Sequence, residues 1–135
     1  MEMKNRSELR EVIMKVLYQV HLLDEAHVDY EISSLIKEQL EVENQFVDDC
    51  VMGVIENRDS IISLANKYLK DWTFDRLNKV DQAILELGIY ELMYTSTPSV
   101  VSINEAIELS KKYSDEAVTK MINGVLDRIY HEEEK

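Results

Sequence analysis

Apolar side chains recur at spacings of three and four along nearly the whole chain, and very little interrupts them. The 135 residues contain one proline and three glycines, too few turn formers for a strand-rich fold. A helical period with scarce turns predicts an all-α protein. Gly53, Gly88 and Gly124 lie more than thirty residues apart, so they cannot build a glycine-rich phosphate loop. A chain of this length makes one domain and can bury a core without a disulfide or metal staple.

The helices can be placed in order. Leu9, Val12, Ile13, Val16, Leu17 and Val20 form the first stripe, with Ser7 as its expected N-cap. A shorter helix is expected over about 28–39. A long one follows over 46–68; its polar stretch Asn57-Arg58-Asp59-Ser60 holds no proline or glycine, so no break is expected. Residues 73–77 read as a turn, with Thr73 or Asp75 as cap. From 78 to 94 the segment is apolar nearly all round, the mark of a helix buried on several sides. The clear loop is 95–99. Ser102-Ile103-Asn104-Glu105 reads as a capping box opening the next helix. Ser114-Asp115-Glu116 opens the last, where acids suit the helix dipole. Gly124 lies inside the last stripe, and a mid-helix glycine costs about 1 kcal/mol, so a close helix–helix approach is expected there.

Charge excludes some functions and localises others. The formal net charge is −12, which rules out a generally cationic nucleic-acid binder. Residues 1–20 nevertheless carry net +1, whereas residues 24–59 hold eleven acids against Lys37 and Arg58. A basic arm on an acidic body can hold RNA phosphates while the body repels other nucleic acid. It can equally be an ordinary solvated helix start. Tyr18, farther along the same helix, can stack a base or simply pack.

Catalytic and metal chemistry find little support. Cys50 is the only cysteine, which excludes an internal disulfide and a cysteine-based zinc site; on an apolar stripe it reads as a small buried hydrophobe. His21, His27 and His131 lack metal-ligand spacing. Asp48-Asp49 and Glu132-Glu133 are adjacent on helices and diverge. No enzyme activity, cofactor or metal is expected. No apolar run exceeds three residues, so neither a membrane span nor a signal peptide is expected, and the expected location is the cytoplasm.

Four segments together resemble one family. Val80-Asp81-Gln82-Ala83-Ile84-Leu85-Glu86-Leu87-Gly88-Ile89-Tyr90-Glu91-Leu92 is similar to the central helix of the NusB transcription antitermination family. So is Pro98 followed by Val101-Ser102-Ile103-Asn104-Glu105-Ala106-Ile107-Glu108-Leu109-Ser110-Lys111. Asn123-Gly124-Val125-Leu126-Asp127 after Lys120 resembles its final motif, and Arg10-Glu11 with Leu17-Tyr18-Gln19 its opening helix. The resemblance implies about seven helices in two packed bundles, an N-terminal one over about 1–72 and a C-terminal one over about 73–135. It implies a transcription antitermination factor that binds boxA RNA with the ribosomal protein NusE and joins RNA polymerase with the other Nus factors. Lys4, Arg6, Arg10 and Tyr18 would face RNA, and Tyr18, Asp75 and Asp81 the partner. The competing expectation is a purely protein-binding helical adaptor. Two departures stand out: Asn5, Ser7 and Glu8 dilute the family's arginine-rich arm, and Glu86 stands where a basic residue is common.

Overall fold

The computed structural model describes residues 4–133, and among them every regular element is helical. The elements are α1 (Arg6–Glu25), α2 (Ile32–Gln39), α3 (Gln45–Glu56), α4 (Arg58–Tyr68), a 3-10 turn (Phe74–Arg76), α5 (Lys79–Tyr94), α6 (Ser99–Tyr113) and α7 (Glu116–Glu132). The apolar stripes converge on one continuous core. Helix α5 lies at its centre and packs against α1, α3, α4, α6 and α7. Its residues 81–89 are all buried, as expected for a helix without a polar face.

Local chemistry sets the boundaries, and three of them differ from the sequence reading. Asn5, not Ser7, caps α1: it accepts from the Glu8 N–H at 2.8 Å while Glu8 accepts from the Asn5 N–H at 3.1 Å, a reciprocal capping box. The expected long third helix breaks at Asn57, whose N–H and side-chain amide both donate to the Gly53 carbonyl. The N–H bond is the helix's own i→i−4 bond, and the added side-chain bond marks the end of α3 without proline or glycine. Helix α6 begins at Ser99 directly behind Pro98, whose fixed φ suits a helix start. Ser102 is therefore inside the helix and buried, and no capping box forms there. Asp115 accepts from the Val118 N–H at 2.9 Å and caps α7.

Glycine roles differ as well. At Gly124 an added Cβ would meet only the flexible guanidinium end of Arg128, at 3.2 Å. The expected close helix approach is instead at Gly88, where Leu126 of α7 and Ala106 of α6 would stand 3.1 and 3.3 Å from a Cβ. Gly53 is tighter still, because the Tyr90 ring occupies the space of a side chain.

Buried polar groups lock the elements. Gln82 donates to the carbonyls of Phe74 and Leu77 at 2.9 and 3.1 Å, tying the 3-10 turn to α5. Glu86 is fully buried; one oxygen lies 2.5 Å from His21 Nε2 and the other 3.5 Å from Arg58 Nε. Glu86 thus joins α1, α4 and α5 from inside.

Candidate nucleic-acid interface

The basic arm is the start of α1. Lys4 and Arg6 are exposed on either side of the Asn5 cap. The Arg6 guanidinium carbon lies 4.0 Å from the centroid of the Phe46 ring, the second residue of α3. This cation–π contact at an exposed site contributes about 0.5–1 kcal/mol, and it fixes where the charge is presented.

Arg10 does not join this exposed pair. It is 4% exposed. Its Nε and Nη2 donate to the two Glu91 oxygens at 2.6 and 2.9 Å, and Nη1 donates to Glu105 at 3.3 Å. Burial pushes its pKa down, but bonding to Glu91 and the charges of Glu91 and Glu105 outweigh that and leave it above its ordinary value. All three faces of its fork are committed to carboxylates. Of the three basic residues expected to face phosphates, Lys4 and Arg6 are exposed, whereas Arg10 is buried beneath them and holds α1 against α5 and α6.

Tyr18 lies on the other flank of α1. Ser7, Glu11, Lys15 and Tyr18 follow at helical spacing. Ser7 donates to Glu105 at 2.6 Å, and Glu11 accepts from Lys112 at 2.8 and 2.9 Å and from the Tyr113 hydroxyl. This flank therefore faces α6. Tyr18 is half-buried at the edge of the core. The bonds from Lys112 and then Tyr113 hold the Glu11 carboxyl below its ordinary value. Lys15, Lys111, Lys112 and Tyr113 make a second polar and aromatic spot on this flank, its lysines paired with Glu11 and Glu108. The sequence reading missed it, because Lys111-Lys112 in the last turn of α6 signals only a helix end.

The two acids separate. Asp75 is exposed in the 3-10 turn and accepts from the Thr73 hydroxyl. Asp81 is 3% exposed and accepts from the Ser114 hydroxyl. Burial pushes its pKa up, Ser114 opposes this, and nearby Asp115 adds to it. Asp81 therefore ties the start of α5 to the corner between α6 and α7, and it offers a partner no open surface. Cys50 is buried, and burial pushes its thiol up to about 12. No helix among the described residues is long and apolar enough to cross a membrane.

Comparison with known proteins fits this geometry. The NusB family model matches residues 7–131. The transcription antitermination protein NusB of Pediococcus pentosaceus is 41% identical over 93% of this chain and 96% of its own. That of Listeria innocua is 38% identical over 95% and 98%. Among solved structures, T. maritima NusB superposes with a TM-score of 0.83 at 31% identity, covering 97% of this chain and 94% of that one. A structure of the antitermination factors NusB and NusE in complex with dsRNA matches with a TM-score of 0.80 at 28% identity, over 93% and 96% of the two chains.

Proposed function

The chain belongs to the NusB family, and from that premise we propose that it is a transcription antitermination factor that binds boxA-type RNA together with NusE. The observation that carries this reading is its likeness, over nearly its whole length, to a NusB seen with NusE and RNA. The chain acts by binding rather than by catalysis, in the cytoplasm, and joins RNA polymerase with the other Nus factors. Electrostatics explain why a partner is needed. A protein of net charge −12 repels polyphosphate at long range, and its exposed arm offers only Lys4 and Arg6 among the described residues. A basic NusE completes the surface.

The residue roles follow from exposure. Lys4 and Arg6 contact phosphate. Tyr18, with Lys15 and Lys112, presents the α6-facing flank to RNA or NusE. Asp75 faces the partner, and Asp81 and Arg10 position the elements that carry these groups.

The test is a titration of boxA RNA at two salt concentrations, with and without saturating NusE. Binding is expected to be weak alone and tight with NusE. Replacing Arg6 by alanine is expected to lower the salt slope by about 0.7, the share of one single-strand phosphate. If NusE binds while RNA affinity is the same with and without this chain, the chain is a protein-binding adaptor and the reading falls.

A further inference from the structure

A groove of about 670 Å³ opens between the starts of α1 and α3 and the end of α5, within the size range of small-molecule sites. We propose that it holds one unpaired nucleobase of single-stranded RNA, stacked on Tyr94, with Arg6 beside it for the adjoining phosphate. The proposal rests on the RNA-binding reading above and assigns it a base site.

Gly53 creates the platform. Its missing side chain lets the Tyr90 ring lie against α3, which fixes that ring. Tyr94, one turn on at the end of α5, stacks on Tyr90 with ring centroids 5.7 Å apart and planes within 12°. Tyr94 keeps 44% of its surface exposed, so a pre-ordered aromatic ring is left open to solvent. An exposed tyrosine held in place this way suits a flat π-system, because stacking needs no reordering of the ring.

The surroundings favour a base joined to phosphate. Arg6 sits over Phe46 on the same groove wall. The Arg10 charge on the lining is neutralised by Glu91 behind it, paired at 2.6 Å. Asp49 is the remaining acid of the lining, and it accepts from Gln45 at 2.6 Å. Ser96, exposed in the α5–α6 loop on the groove rim, offers a hydroxyl that can donate to or accept from a base edge. Stacking is available to every base, so the groove selects unpaired RNA over duplex rather than one sequence over another.

The experiment uses the full chain with NusE and a boxA RNA oligonucleotide carrying one abasic residue at each position in turn. Tyr94→Ala is expected to weaken binding about tenfold, the scale of one lost base stack, with an unchanged salt slope because stacking releases no counterion. Tyr94→Trp is expected to retain affinity. One abasic position should weaken the wild type equally and add nothing to Tyr94→Ala, a reciprocity that changes the RNA without altering the protein. Equal affinity of Tyr94→Ala and wild type, or abasic effects that all add to the mutation, would overturn the base site and leave the antitermination reading standing. Loss of NusE binding by Tyr94→Ala without RNA would make the groove a protein contact and overturn it too. If the wild type with NusE gains no RNA affinity, both proposals fall.

Discussion

Arg10→Ala separates a phosphate ligand from an internal strut. Arg10 is 4% exposed and Glu91 2% exposed, and two charge-assisted bonds of 2.6 and 2.9 Å join them. Removing Arg10 leaves the Glu91 carboxylate buried, with the Thr97 hydroxyl at 3.2 Å as a neutral donor in place of the guanidinium. Breaking a buried pair from one side costs about 3–5 kcal/mol. At about 3 °C per kcal/mol for a domain of this size, Tm should fall by about 10–15 °C. Adding Glu91→Gln should recover part of the loss, because the orphaned charge is gone and the amide can still bond. Arg10→Lys should restore little, since an ammonium cannot span both carboxylate oxygens. Thermal unfolding of the three variants by circular dichroism measures this. Melting of Arg10→Ala within about 2 °C of wild type would refute the strut, and a lowered RNA salt slope in that same variant would restore Arg10 as a phosphate ligand.

Other outcomes follow from burial and space. Burial raises the Asp81 pKa, so its contribution is fully present below the ordinary carboxylate value and is lost as pH rises through the raised one. Asp81→Asn, which can still accept from Ser114, should exceed the wild type in stability at pH 7, and the gap should close as pH falls; denaturant melts across pH check the sign. With its thiol up at about 12, Cys50 should resist an aromatic disulfide reagent at pH 8 until denaturant opens the core. Gly53→Ala should destabilise by about 1–3 kcal/mol through overpacking against Tyr90, whereas Gly124→Ala should stabilise by up to about 1 kcal/mol, because the Arg128 tip can move. Opposite shifts in denaturation midpoint are expected, and a loss at Gly124 would show that the Arg128 bond to the Tyr68 carbonyl outweighs helix propensity.

The all-helical class and the central place of α5 were legible because they depend on period and on the absence of a polar face, which are properties of one segment. Cap identities were less so. Asn5 and Ser7 are both good caps, and what decides is that Glu8 lies three residues after Asn5 while Ser7 finds Glu105, 98 positions away. The capping box expected at Ser102 is absent because α6 already starts at Ser99 behind Pro98, which leaves Glu105 to bond Ser7 and Arg10. Glu105 is spent on α1, and nothing local announces that. Asn57 marks a helix end without proline or glycine through the added bond of its side-chain amide to the Gly53 carbonyl. The site was the least legible. Charge counting groups Lys4, Arg6 and Arg10 by sequence, but burial separates them. Phe46, Tyr94 and Lys112 entered the surface only through tertiary contacts.

The buried position of Arg10 also bears on how RNA data should be read. Glu91 and Glu105 lie beneath the exposed arm, and Arg10 bonds both. Without it, two carboxylates would stand uncompensated by the groove that Arg6 lines. Their field would oppose phosphate even though Arg10 never touches RNA, since charges in a partly water-excluded site are weakly screened. A loss of RNA affinity in Arg10→Ala is therefore expected on either account and does not by itself establish contact. The double variant with Glu91→Gln removes most of the added negative charge. An internal strut predicts that RNA affinity returns with stability in that variant, whereas a phosphate ligand predicts that stability returns and affinity does not.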